Sequence, residues 1–541
     1  MTTTVDVLVI GAGFAGVYST IHADRAGYSV LGIEAGSEVG GTWYWNRYPG
    51  ARCDVESLDY SYSFDPELEN EWRWSERYAT QPEILRYFQF VADRFDVRRH
   101  YRFNERVTAA AWDEAAQRWS VTTDAGDTIS AQWLIMATGS LSNPNLPDIA
   151  GRDSFAGETY LTAMWPEEAP DFTGKRVAVI GTGSSGVQSV PHFARQAAEV
   201  VVYQRSANYS VPAFNRELTD EEWEASRPTL AERRAISWAG GAGSPWNSHP
   251  VPFDEVPQDE RDAVFAEAWE RGGVLFGKAF AEQTVREDIN DAARVYFEAR
   301  LADIVTDPQT RSDLTPTDHA IGTKRICTDS GYYQTFNEEH VHLVNLRREP
   351  ITEITADGIR TAEAMREHDV IVYATGFDAL TGALSAINPI GRDGRSLAAE
   401  WADGPQTLLG LMVPGFPNMF TLNGPGSPSV LSNMALTSEQ QGAWALRAIA
   451  DATAAGHTSI EPRDDAAAAW TAHVVAVGDR TLFGNAPSWY TGANIAGKKR
   501  VFLPYLGGFA NYTAQCTAAA DKGYEGFVLS TASTAAVPAS V

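Results

Sequence analysis

Two glycine turns of the same design carry the first chemical signal in this chain. Gly11, Gly13 and Gly16 follow the apolar run Val5–Ile10 and lead into a helix-like stretch, Val17–Ala26. Ser29–Ile33 then reads as a second strand, with Glu34 at its end. A strand, a glycine turn, a helix, a strand and an acid form the βαβ context of dinucleotide binding. Gly11 permits the tight turn, Gly13 lets the backbone approach a pyrophosphate, and Gly16 lets helix and strand pack closely. The helix N-terminus offers free N–H groups to the phosphates. Glu34 is placed for a ribose hydroxyl. A glycine turn alone also fits other α/β proteins; the two strands and the acid are what add weight.

The pattern recurs. Lys175–Ile180 is a strand, Gly181, Gly183 and Gly186 make a second turn, Val187–Ala198 reads as a helix, and Glu199–Tyr203 as the next strand. Thr182, Ser184 and Ser185 within the turn and Gln188 behind it are further candidates for nucleotide contact. Here Gln204, Arg205 and Ser206 stand where the acid would be. A guanidinium suits a 2′-phosphate and an acid repels it, so Arg205 and Ser206 point to NADP(H) rather than NAD(H). The plainer reading of Arg205 is a solvated surface charge. Two dinucleotide sites in one chain imply a flavin supplied by a nicotinamide.

Trp133–Gly139 and Val370–Gly376 are apolar strands ending in small-residue turns, as expected where the chain passes between two nucleotide domains. From Phe214 to Asp318 charges, Trp and helix formers dominate. Ile289, Ala293, Phe297, Leu301 and Ile304 share one helical face, Gly240–Pro257 is a loop, and the acidic run Glu217–Glu224 reads as a solvated helix start. The stretch Ser530–Val541 is expected to fray. The 541 residues suit two to four domains. A net charge of −27 argues against nucleic-acid and anionic-membrane binding. No run approaches a membrane span, and no signal peptide is apparent. Cys53, Cys327 and Cys516 form no CxxC pair, and the ten histidines show no metal spacing, so disulfide, dithiol and metal chemistry are not expected. Cys53 reads as a small packed residue. A reducing cytoplasm is the natural compartment.

The run Gly40-Gly-Thr-Trp-Tyr-Trp-Asn-Arg-Tyr-Pro-Gly-Ala-Arg-Cys-Asp54 resembles the first-domain signature of the Baeyer–Villiger monooxygenases, through Gly41, Trp43, Tyr48, Pro49 and Asp54. Phe155, Gly157, Trp165 and Pro166 resemble the family's linker signature. The stretches Arg205–Pro212, Ala320–Tyr333 and Gly424–Met434 look closest to the steroid and phenylacetone monooxygenase branch. The resemblance covers nearly the whole chain. It implies an α/β fold with two Rossmann-like dinucleotide-binding domains, for FAD and NADP, and a helical insertion in the NADP domain. The expected FAD domain is 1–144 and 378–541. The expected NADP domain is 145–213 and 319–377, with the insertion at 214–318.

The resemblance also implies the reaction. NADPH reduces FAD, O2 forms a C4a-peroxyflavin, and one oxygen atom enters beside a ketone carbonyl to give an ester or lactone. A fixed cation keeps the attacking oxygen anionic and stabilises the oxyanion of the adduct. Arg325 occupies the family's arginine position, and Asp54 would orient it. Lys324 is expected at the 2′-phosphate with Arg205, and Trp489 against NADP(H). Thr42, Trp43, Tyr44, Trp45, Tyr60, Val107 and Met434 are carried over as flavin contacts. There is one departure: Leu161 stands where the linker signature has histidine, and leucine neither hydrogen-bonds nor titrates. That leaves open an uncoupled FAD/NADPH oxidase or redox sensor; an N- or S-oxygenating relative would share the two nucleotide sites, but Trp165-Pro166, Asp54 and Arg325 argue against it. The expected substrate is a bulky, steroid-like or arylalkyl ketone, then a cyclic one, taken with O2. No nucleic-acid, membrane or obligate protein partner is expected.

Overall fold

The computed structural model describes residues 2–531. The frayed tail is corrected at its start: Ser530 ends a strand, Phe527–Ser530, paired antiparallel with Ser459–Pro462, while 532–541 lie outside the described residues. Thr2–Ile10 is a central strand because Val7, Leu8 and Val9 are buried on both faces, the pattern of a covered parallel sheet. It pairs in parallel with Val30–Glu34 on one side and Thr128–Met136 on the other. Tyr101–Phe103 extends the sheet beyond Val30–Glu34. Beyond Thr128–Met136 the sheet divides. Its first half pairs antiparallel with Arg118–Thr123, and its second half in parallel with Met419–Thr421. The last of these strands comes from far down the chain, so this sheet closes with two chain segments.

The second sheet is wholly parallel. Its order is Val341–Asn345, Glu199–Gln204, Arg176–Ile180, Val370–Tyr373 and Glu158–Leu161. The fold is α/β with two Rossmann-like units. The chain passes between them twice, and the two passages run side by side, antiparallel: Asn145 N–H donates to Gly376 O and Asp378 N–H to Asn143 O, each at 2.9 Å.

Both glycine-turn helices begin earlier than their apolar runs predict. They are Phe14–Arg25 and Ser184–Ala194, because the third glycine of each turn lies inside the first helical turn. The second also stops four residues short of Ala198, where the chain turns back and Ala198 N–H donates to Lys175 O.

Between Ser210–Pro212 and Cys327–Asp329, two short strands paired in parallel, the described residues form helices and turns. Ile289, Ala293, Phe297 and Leu301 of the helix Glu287–Ile304 are buried against the second sheet's core, with Ile304 partly buried beside them. The acidic run starts its helix at Asp220 rather than Glu217, where Thr219 and Glu222 form a reciprocal capping box. Gly240–Pro257 is a loop broken by one short turn of helix, Phe253–Glu255. The insertion is held to the first unit by buried ion pairs: Arg234 meets Glu69 at 2.6 Å, and Arg233 meets Asp59.

Candidate active site

The two glycine turns have the same construction. Gly11 sits at φ +104°, and a Cβ there would lie 2.4 Å from the Ala137 carbonyl oxygen. Gly181 sits at φ +112°, with a Cβ 2.4 Å from the Ala374 carbonyl oxygen. So Trp133–Gly139 and Val370–Gly376 do abut the turns. Gly16 and Gly186 cannot carry a side chain: their Cβ atoms would fall 1.8 Å from Gly11 O and 2.3 Å from Gly181 O.

Each helix is N-capped by glycine, Gly13 or Gly183, without a side-chain hydrogen bond to its first-turn N–H groups. A Cβ at Gly183 would meet nothing within 4 Å. Free N–H groups at a glycine cap fit a pyrophosphate, and both turns present them, the second over open space. Gly41, at φ +53°, brings the signature loop onto Gly13: a Cβ would stand 2.7 Å from the Gly13 Cα.

Glu34 is buried, and its carboxylate accepts from Ala12 N–H at 2.8 Å and Gly36 N–H at 2.7 Å. Burial raises its pKa against those two donors. It therefore braces the first turn as well as ending the second strand. Trp43 Nε1 donates to the Tyr60 hydroxyl at 3.1 Å. The Tyr44 hydroxyl meets Ser37 and, at 3.3 Å, Glu167 of the linker. Thr42 is exposed and Trp45 half-buried at the ends of their short helix. Val107 opens a strand, buried in the core beneath the first sheet, and Met434 opens the helix Met434–Ala454. Cys53 is buried beside Asp54, and burial pushes its thiol well up, so it is a packed residue.

Arg325 and Asp54, 271 residues apart in sequence, form a two-pronged pair. Nε and Nη2 of Arg325 each donate to one carboxylate oxygen at 2.7 Å, and Nη1 reaches the Val430 carbonyl at 3.3 Å. Burial works against the guanidinium charge, but the attraction and hydrogen bonds of Asp54 outweigh it and raise the Arg325 pKa. The guanidinium thus stays charged while its side chain keeps 29% exposure. It stands where the Ala320–Tyr333 stretch of the second unit, the Gly40–Asp54 loop of the first and the Gly424–Met434 loop meet.

The second turn is wired to the first. Gln188 Oε1 accepts from the Tyr48 hydroxyl at 2.8 Å, and its Nε2 donates to Arg52 O at 3.1 Å. Gly50, at φ +83°, leaves no room for a side chain against Gln188 O. Gln188 thereby ties the two units together. Thr182 Oγ1 donates to Ser206 O at 2.8 Å, Ser185 accepts from Thr162, and the Ser184 hydroxyl lies 3.7 Å from Cys327 Sγ. Arg205 is exposed, and Lys324 sits close enough for its pKa to be lowered, chiefly by burial and then by Arg347 and Arg205 against the pull of Asp318. Trp489 is half-buried, packed on Ala379, Leu380 and Leu503.

Three residues near these sites escape sequence reasoning. Arg347, just past the strand Val341–Asn345, donates to Arg205 O and Ser206 Oγ, each at 3.1 Å, and to Asp318. Asp318 also meets Lys324. Lys278 lies beside Gly277, whose backbone contacts the Gly322–Ile326 loop that carries Arg325. Burial, then the Arg325 charge, pull the Lys278 pKa down to about 8. The signal for it was a lone cation in the apolar run Gly273–Phe280; Arg347 and Asp318 gave none, because their partners come from other strands and loops.

Residues 8–219 match the family described as pyridine nucleotide-disulphide oxidoreductase. The disulphide half of that description has no counterpart here, since all three cysteines are buried and free. The chain is 41% identical, over 97% of its length and 98% of the relative's, to the 2-oxo-Delta(3)-4,5,5-trimethylcyclopentenylacetyl-CoA monooxygenase of Pseudomonas putida. It is 39% identical, over 97% of its length and 96% of the relative's, to a Baeyer–Villiger monooxygenase of Pseudooceanicola batsensis. Among solved structures, an oxidized steroid monooxygenase bound to NADP superposes with a TM-score of 0.93 at 52% identity, covering 98% of this chain and 100% of that one.

Proposed function

We propose, from the premise that the chain belongs to the FAD- and NADPH-dependent Baeyer–Villiger monooxygenases, how its own residues carry out the family's reaction. The enzyme converts a ketone, O2, NADPH and a proton to an ester or lactone, NADP+ and water. Bound FAD supplies the redox chemistry, taking the electrons of NADPH and activating O2.

The protein's part is placement and charge. In this reading Arg325 is the catalytic residue and Asp54 its positioning partner. The guanidinium offers N–H groups to the ketone oxygen as it becomes an oxyanion, and its fixed charge favours the anionic, attacking form of the reacting oxygen. N- and S-oxygenation need an electrophilic oxygen instead, so this cation does not favour them. The single observation that supports the assignment is the two-pronged Asp54 clamp, which holds the guanidinium where three loops meet.

The first glycine turn with Gly41, Thr42, Trp43, Tyr44, Trp45, Tyr60, Val107 and Met434 takes FAD, within a domain of 1–144 and 378–541. The second turn, with Arg205 and Lys324 at the 2′-phosphate and Trp489 over the nucleotide, takes NADPH, within 145–213 and 319–377. The substrates are bulky ketones, steroid-like or arylalkyl first and cyclic second, a preference supported by the Gly424–Met434 likeness and by the 52% identity to a steroid monooxygenase. We place the enzyme in the cytoplasm, where three free buried cysteines suit reducing conditions. Among the described residues no helix is long and apolar enough to cross a membrane.

The test is product analysis with the FAD-loaded enzyme, NADPH and 18O2 on steroidal, arylalkyl and cyclic ketones. One labelled oxygen in an ester is expected. Arg325→Lys keeps a charge but loses the two-pronged geometry, and should lower ester formation on the order of 100-fold. An unchanged yield in that variant removes Arg325 from the catalytic role.

A further inference from the structure

An anion is built in beside the strand end that carries Arg205. Asp318, at the end of the insertion, has one carboxylate oxygen 2.6 Å from His319 Nδ1 and 3.4 Å from Lys324 Nζ, and the other bonded to Arg347. The His319 side chain is fully buried and Asp318 is only 17% exposed, so the carboxylate is fixed rather than mobile. Arg347 in turn donates to Ser206 Oγ and to the Arg205 carbonyl, which brings it to the strand end that carries Arg205. Lys324 and Arg347 thus hold one built-in carboxylate between them, and a third cation, Arg205, stands at the same strand end, close enough to act on Lys324.

The charges can be counted. Burial disfavours the protonated form of His319, so it adds no charge. Three positive charges less one negative leave two. A phosphate monoester carries a charge of about −1.5 to −2 at neutral pH. We propose that Asp318 is a specificity-setting residue of this site: it trims the cationic cluster to the charge that one 2′-phosphate neutralises, and so limits how tightly NADP(H) is held. This rests on the reading that Arg205 and Lys324 receive the 2′-phosphate. The carboxylate shares Lys324 and Arg347 with the incoming phosphate and repels it, whereas NAD(H), with a hydroxyl in that place, is indifferent to it. An enzyme that must release NADP+ after each turnover gains from such a limit.

The measurement is the Kd of NADP+ and of NAD+ for the FAD-loaded enzyme at fixed salt, by titration calorimetry. Asp318→Asn should tighten NADP+ roughly three- to tenfold and leave NAD+ unchanged. Asp318→Glu, which keeps the charge, should stay within about twofold of the parent for both. NADP+ binding that is unchanged or weaker in D318N overturns the proposal, as does an equal change for both nucleotides or a D318E variant that behaves like D318N. Lys324→Met is the control. If it fails to weaken NADP+ selectively, the 2′-phosphate reading itself falls; if it does weaken NADP+ while D318N changes nothing, only the role of Asp318 falls.

Discussion

At the scale of single residues, the site is a matter of which charges are compensated. Arg325 has Asp54 at 2.7 Å on two atoms, and its charge is secure. Lys278 has no carboxylate within 4 Å among the described residues and feels Arg325 as well as burial. Its folded pKa of about 8 lies below the value near 10.4 that an unfolded chain gives it. The unfolded state therefore binds more protons between those values, and the residue's contribution to stability rises with pH across that window. Below pH 8 the charged side chain is a burden on the fold; above it the burden is shed. Lys278→Met should accordingly raise the Tm at pH 7, and the gap from the parent should close as pH approaches 10. A gap independent of pH would mean that Lys278 stays hydrated in solution.

At the scale of elements, the glycine turns separate steric need from binding need. Gly16 and Gly186 are required by the fold, since a side chain there strikes the backbone of its own turn. Gly183 is different: its φ of −81° suits any residue, and a Cβ there would meet nothing. Gly183→Ala should keep the flavin and a Tm at or slightly above the parent's. Its KM for NADPH should rise about tenfold or more, because the methyl group occupies the approach to the pyrophosphate. An unchanged KM would remove Gly183 from the nucleotide site.

The strand Glu158–Leu161 poses the second question at this scale. Leu161 pairs with Tyr373 at the edge of the parallel sheet and packs on its apolar cluster. Histidine there would put a polar, titratable ring where the linker enters the second unit. Leu161→His should raise the ratio of ester formed to NADPH consumed, with a small loss in Tm. A constant ratio would show that the leucine does not impair coupling.

At the scale of the whole molecule, two nucleotide units must hold one reacting centre between them. Tyr48 and Ala51 of the first pack in the apolar core of the second, and polar contacts join them as well: Asp54 with Arg325, Tyr48 with Gln188, and the paired passages at Asn143–Asn145 and Gly376–Asp378. Tyr48 is buried, so removing its acceptor strands a hydroxyl, at a typical penalty of about 1–3 kcal/mol. Gln188→Leu should lower the Tm and the coupling ratio together. Adding Tyr48→Phe should recover part of the Tm, since the pair is then apolar on both sides. Strictly additive losses would mean that the hydrogen bond does not join the units.

Features legible in the chain alone are local. A glycine turn is legible because its residues interact with one another across a few positions: Gly16 meets Gly11, and Gly186 meets Gly181. The helical face Ile289–Leu301 is legible because a helix repeats its own geometry. The family likeness is legible because its signature, Gly40 to Asp54, is one continuous stretch of chain. The tertiary structure decided what lies across gaps in sequence. It set Arg325 on Asp54 over 271 positions, gave Gln188 to Tyr48 over 140, and gathered Arg205, Asp318, Lys324 and Arg347 from two strand ends and a loop. Backbone preference and periodicity act between near neighbours, whereas the partner of a charged side chain is chosen by how the sheets and the insertion pack. That is why the nucleotide turns could be read from the chain, while the carboxylate among the cations near the second one could not.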